Sequence, residues 1–257
     1  MPQPVPDLSK DLQNLLFRIS GTLGCSINRG VWRDDLFCSF WTKWNQVENL
    51  RRNTMENQIC LNGQTIDLSA SQLAQIKRIL DEPKRRLSAL AAGETCKIGT
   101  HEFVVLEQLG DTAAMIRKGL LVEESEFGDN NNFSGSTVDK ICAKFAVELA
   151  GLVGEENLAT HTVDLTSDDG LKDYGEIERK VSLLTADMYR RYVEVLDEHN
   201  PGEYWWLATP HSTEKHGNSN WVKCVSPSGY IYYYDCIFDD IGVRPFCILK
   251  SHIFVSN

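Results

Sequence analysis

Tyr204-Trp205-Trp206-Leu207-Ala208-Thr209-Pro210 and Gly242-Val243-Arg244-Pro245 bracket a stretch dense in His, Asn, Tyr and Asp within the last quarter of this 257-residue chain. The first bracket reads as a strand. Successive side chains on a strand point to opposite faces, so at least one of the two adjacent indoles must be buried. Arg244 is the only basic residue between Lys223 and Lys250. Set between Val243 and Pro245, a lone guanidinium with five donors reads as a buried residue that locks the fold through backbone carbonyls or an acidic neighbour. Trp205, Trp206, Gly242, Arg244 and Pro245 are therefore expected to be scaffold, as are Tyr204 and Val243.

The insert between the brackets reads differently. Residues 211–220 form a polar loop, 221–225 a strand, 226–229 (Ser-Pro-Ser-Gly) a turn, 230–235 a second strand and 236–241 a loop. Alternation places Tyr230, Tyr232 and Tyr234 on one face, and Ile231 and Tyr233 on the other. Tyr, Ser, Asn and His are what binding loops use: amphipathic area at low entropy cost, with adaptable hydrogen bonding. His211, Asn218, Asn220, Tyr230, Tyr232, Tyr234, Asp235 and Asp239 are the candidate binding residues. A half-buried hairpin whose tyrosines pack with wet hydroxyls would show the same composition. Both readings stand at this point.

Outward from the brackets, the pattern predicts an α+β chain in two parts. From residue 93 onward, short β-rich runs appear at 95–98, 103–106, 112–116, 158–165 and 181–184. Ser136 can cap a helix running to about residue 150, and Thr185 one carrying Met188, Tyr189, Tyr192, Val193 and Leu196. The acidic, Asn-rich segment 123–135 superficially resembles a calcium loop. Phe133 and Ser134 stand where an oxygen ligand and a glycine are required, so a solvated loop is expected instead. Asp168 and Asp169 belong to a turn that needs no metal, and Asp164 lies just before it. Residues 1–92 read as a mostly helical module with apolar stripes at 8–19 and 36–47. It holds a hairpin around Asn62-Gly63, a capping box at Ser69 and Gln72, and a close at 87–93. The expected division is thus 1–92 and 93–257.

The formal net charge is -10, and residues 101–203 hold 9 Lys+Arg against 22 Asp+Glu. An acidic middle repels phosphate backbones, so nucleic acid is not an expected partner. No apolar run is long enough to span a membrane. The opening Met-Pro-Gln-Pro-Val-Pro-Asp lacks the basic and apolar regions of a secretory signal, which predicts a cytoplasmic location or one on a phage particle. Eight cysteines occur without Cys-x-x-Cys or zinc-like spacing, and they read as reduced, mostly buried thiols. No cofactor or metal motif is found. His211, His216 and His252 share a region with Cys224, Cys236 and Cys247, which leaves a Cys/His-dependent enzyme or metal protein as the rival class. Absence of a nucleophile elbow, a His-Glu-x-x-His run or a phosphate loop favours a non-enzymatic chain.

The runs around Gly93-Glu94, Ile98-Gly99, 102–106 and 181–185, followed by Tyr204 to Pro210 and Gly242 to Pro245, resemble an uncharacterised domain common in gut bacteria and their prophages. Its marks are Trp-Trp-Leu-Arg-Ser/Thr-Pro and Gly-Val-Arg-Pro. That domain is similar to C-type-lectin-type folds, among them formylglycine-generating enzymes and the variable proteins of diversity-generating retroelements. The resemblance covers about residues 90–250. It implies a ligand-binding scaffold for a protein or glycan, with variable residues just before the final strand, where this chain is rich in Asn, Tyr, His, Asp and Ser. Residues 1–92 would then serve for attachment or homo-oligomerisation. A structural phage or mobile-element component is the third class. Ala208 stands where the domain usually has Arg, which removes that residue's salt link. Cys224, Cys236 and Cys247 do not reproduce the close copper-binding pair of the formylglycine enzymes.

Overall fold

The computed structural model describes residues 84–256, the paired strands β1 (Gln58–Leu61) and β2 (Gln64–Asp67), and the helical positions Ala70 and Ala74. The two apolar stripes expected at 8–19 and 36–47 lie outside the described residues, as do Ser69 and Gln72 of the capping box. β1 and β2 pair antiparallel with Leu61 opposite Gln64, the register of a two-residue hairpin connection.

The described chain is α+β, with mostly antiparallel sheets and few helices. It divides into two compact units. One comprises Arg86–Cys96 and His101–Ile253; the other groups β1 and β2 with Lys97–Thr100 and the chain end. In the second, β15 (Phe254–Ser256) pairs antiparallel with β4 (Thr95–Ile98) through Ser256 and Lys97. Short β3 (Lys84–Arg86) precedes a 3-10 turn over Leu87–Ala89. The segment 87–93, expected to close the first module, instead contributes buried Leu87 and Leu90 to the larger unit. Gln108 explains the attachment: its side-chain amide donates to the carbonyls of both leucines, each at 2.9 Å.

The larger unit is built around β5 (His101–Gln108), β6 (Thr112–Arg117), β14 (Phe246–Lys250) and β10 (Val181–Ser182), all antiparallel neighbours in that order. The stretch expected as one strand at 158–165 is two. β7 (Leu158–Ala159) adds to β14, while β8 (His161–Asp164) pairs with β9 (Glu176–Arg179) as a separate ribbon. A third sheet runs β11 (Trp205–Pro210), β12 (Trp221–Val225), β13 (Ile231–Asp235).

Helix α1 (Thr137–Val153) starts where Ser136 Oγ accepts from the Asp139 amide, satisfying an otherwise orphaned donor. The same device opens α2 (Ala186–Arg191), with Thr185 Oγ1 accepting from Met188. One helix was expected from Thr185 through Leu196. It breaks at Tyr192, whose amide is shared between the carbonyls of Met188 and Tyr189, and resumes as α3 (Val193–Glu198).

These elements close on one core. Val104, Leu106, Ala114, Ile116 and Phe246 come from the central sheet, Leu184, Ala186, Tyr189 and Leu196 from the α2–α3 segment, and Trp205, Leu207 and Val225 from the third sheet. No helix among the described residues is long and apolar enough to cross a membrane.

Candidate functional site: an aromatic surface on a hydrogen-bonded frame

The two brackets meet. Gly242 donates its amide to Tyr204 O at 2.8 Å, and its carbonyl accepts from the Trp206 amide at 3.0 Å. Val243 pairs with Val122, and Pro245 O accepts from the Arg117 amide. A Cβ on Gly242 would sit 2.4 Å from Leu120 Cδ1, so any other residue there requires the Leu120 side chain to shift. Trp205 and Trp206 are both buried because β11 is covered on both faces. Trp205 packs edge-on to Tyr189, whereas Trp206 meets Phe127 and donates its indole N–H to Ser125 O. Arg244 is fully buried. Its guanidinium lies 5.1 Å from the Trp205 ring centre and donates to Arg117 O, Lys118 O and His199 O at 2.8, 3.1 and 2.8 Å. Burial holds this group down at about 10, so it remains charged at neutral pH. Ala208 is buried, and its amide donates to Leu184 O.

On this frame β12 and β13 pair with Trp221 opposite Asp235, Lys223 opposite Tyr233 and Cys224 opposite Tyr232. Their rings form one connected cluster. His211 stacks on Tyr233 at 4.6 Å, and Trp221 stacks on the same ring at 5.0 Å. Tyr233 stacks on Tyr232, Tyr232 meets Tyr234, and Tyr234 touches Tyr204 and Phe238. A hydrogen bond with Tyr204, together with desolvation, pushes the Tyr234 phenol up to about 12.

The candidate residues divide by role. Tyr230 is 73% exposed and Tyr232 49% exposed, both open to solvent. Tyr230 sits outside the ring cluster, at the hairpin end. His211 and Tyr234 are half-buried within the cluster. Asn218 Oδ1 accepts from the amides of Asn220 and Trp221, and so shapes its own loop. Asp235 accepts from the Ile237 amide. Asn220 and Asp239 are exposed at the periphery. Four participants had not been singled out: Trp221, Tyr233, Ile237 and Phe238. Trp221, Ile237 and Phe238 are exposed large apolar side chains, and Tyr233 is the ring on which the cluster stacks. A Trp opening a strand directly after a polar loop was the available signal.

Beneath the surface lies a polar hub that sequence reasoning missed. The 123–135 loop, expected to be solvated, is anchored: Phe127, Asn131 and Phe133 are fully buried. Asn131 Nδ2 donates to Ser212 O, Asn218 O and Trp221 O at 2.8, 3.3 and 3.1 Å, while its Oδ1 accepts from Tyr174. Asp169 accepts from Ser167, Ser212 and His216, and these bonds hold its carboxyl well below the usual range. Asp168 binds buried Lys223 at 3.0 Å and Arg190 at 3.1 Å. Partial burial pushes the Asp168 carboxyl up, but these two cations outweigh it and the net shift is downward. The 167–173 turn is thus a brace for the 211–216 loop.

The thiols of this region are poor nucleophiles. Burial pushes Cys224 up to about 12 and Cys236 up to about 11, and raises Cys142 and Cys247 as well. Among the described residues no group of three or more His, Cys, Asp and Glu side chains converges as a metal site. Comparison with protein-family models, curated proteins and solved structures gives no match to this chain.

Proposed function

We propose that this chain is a non-enzymatic ligand-binding protein. Residues 93–257 would form a C-type-lectin-like scaffold, and the 211–240 segment a variable-type surface of the kind that diversity-generating retroelements diversify. The observation that carries the reading is the exposed aromatic edge of Trp221, Tyr230, Tyr232 and Phe238, seated on a frame of buried hydrogen bonds. Large amphipathic rings held rigidly lose little entropy on binding, which is what a recognition surface needs. The raised values of the Cys224 and Cys236 thiols support a binding role over thiol chemistry at this surface. The ligand class is a protein or a glycan.

The test uses the full chain against a glycan array and a displayed library of random peptides. Replacing Tyr230 and Tyr232 together by Ala should abolish the binding found and leave the fold intact, with only a small drop in unfolding midpoint. Tyr230 lies outside the ring cluster, and Tyr232, though stacked on Tyr233, is half open to solvent. Tyr234 is left out of this pair: it packs between Tyr204 and Phe238, so its loss would cost stability too. Binding that survives the double substitution would overturn the reading. A neighbouring reverse-transcriptase gene with a near-copy of the 3′ end of this gene would establish diversification, and its absence would remove that part alone.

A further inference from the structure

Resting on that reading, we infer that the ligand is an extended, basic peptide segment of a partner protein, added as a fourth strand along the free edge of β13. The geometry of the ladder comes first. Ser226 donates to Tyr230 O, and Cys236 donates to Asn220 O, so each outer pair carries one hydrogen bond across the ladder and marks a bonded position. The register between them runs without a shift. Antiparallel pairs alternate between bonded and non-bonded. Tyr232 and Tyr234 therefore bond β12, and the amides of Ile231, Tyr233 and Asp235 point away from it. Among the described residues, none of these three amides has a backbone acceptor, and only the Asp235 carbonyl is taken, by Phe238.

Such an edge is a template for strand addition unless it is blunted by proline, lysine, a bulge or a covering element. Ile231-Tyr232-Tyr233-Tyr234-Asp235 contains neither proline nor lysine, and it has no bulge. Tyr232 and Tyr234 on one face of the strand, and Ile231 and Tyr233 on the other, offer side chains against which alternate residues of an added strand can pack.

Charge selects the partner. From residue 224 to residue 243 the only charged side chains are Asp235, Asp239 and Asp240. The flanking cations are spent: Lys223 is buried against Asp168, and Arg244 is buried against carbonyls. A strand carrying Lys or Arg beside alternating apolar residues complements this edge. A second copy of the chain would bring the same carboxylates to its own border.

The experiment extends the peptide panning to the full chain and reads amide exchange residue by residue. Enriched peptides should combine Lys or Arg with alternating apolar residues. A synthetic copy should slow exchange at Ile231, Tyr233 and Asp235 at least about tenfold, and leave Tyr232 and Tyr234 unchanged. N-methylating every second peptide amide should weaken binding by about tenfold or more, while methylating the intervening ones should not. Tyr233→Pro deletes an outward N–H without touching the β12 ladder, so it should bind more weakly than Tyr233→Ala. If Tyr233→Pro fails to fold, the methylated peptides carry the same test. Three results would overturn the inference: no enriched peptide, binding that leaves the three amides exchanging as before, or amides already protected in the free chain by its own residues or a second copy. Glycan binding lost on Tyr230→Ala/Tyr232→Ala, with no peptide enriched, would sink strand addition and leave the surface reading intact.

Discussion

The Tyr174 hydroxyl donates to Asn131 Oδ1 at 2.7 Å and thereby sets which way a fully buried amide points. With its oxygen occupied, Asn131 must turn its two N–H groups toward the carbonyls of Ser212, Asn218 and Trp221. One side chain thus holds both ends of the loop that feeds the aromatic surface.

Asn131→Ala should destabilise the chain by about 2–4 kcal/mol, since several buried groups lose their partner at once. Asn131→Asp should cost more at neutral pH, because carboxylate oxygens would face three carbonyl oxygens. Urea unfolding measures both. Amide exchange at His211, which donates to Trp221 O, should quicken in each variant before the rest of the fold is affected.

How legible this was in the sequence depended on distance along the chain. Ser136 and Thr185 could be read as caps because each bonds an amide three residues on. β12 and β13 could be read from alternation, which is local. The Asn131 hub could not: its acceptors lie 81 to 90 residues away, and nothing in a run of Asn distinguishes a buried amide from a wet one. Alternation also set Tyr233 on the opposite face from Tyr230, Tyr232 and Tyr234, which left it outside the candidate residues. It becomes the centre of the ring cluster only because His211 and Trp221 arrive from the loop and the paired strand. Gly242 and Tyr204 each looked structural; their mutual bond required the tertiary fold.

Arg244→Lys should fail to rescue the fold. The guanidinium reaches three carbonyls from one planar fork and lies over Trp205, whereas an ammonium is a compact charge that cannot hold all four contacts. Arg244→Ala should cost roughly 3–5 kcal/mol, since three carbonyls lose a charged donor and a large buried side chain is removed, and Arg244→Lys should recover less than about half of it. Guanidinium titration gives the free energies. Near-ultraviolet circular dichroism should lose the Trp205 signal in both variants.

Asp169 makes the brace acid-sensitive. Its carboxyl is held below the usual value, first by the Ser167 hydroxyl, then by Ser212 and His216. In the range below 3.8 the unfolded chain binds more protons than the folded one. The contribution of Asp169 is therefore present above that value and is lost as the pH falls through the folded-state value. Asp169→Asn should start less stable at neutral pH and decline less steeply under acid. The two curves should converge, as followed by urea midpoints across the acid range.

His161 should give a second, earlier acid limb. It is buried with Nε2 2.9 Å from Ser182 Oγ, its ring edge-on to Phe246. Burial pushes it down to about 4 from 6.5, against a weaker upward pull from Glu178. Between those values the unfolded state takes up a proton that the folded state refuses. Stability from the neutral ring is complete above 6.5 and falls as the pH drops toward 4. The shift corresponds to about 3 kcal/mol over that window. His161→Gln keeps a polar partner for Ser182 but cannot titrate. Its stability should hold between those limits while the parent declines, so the difference between the two should shrink steadily on acidification. Urea unfolding at several pH values across the window measures it. Parallel curves for parent and variant would mean that His161 gains its proton without cost to the fold.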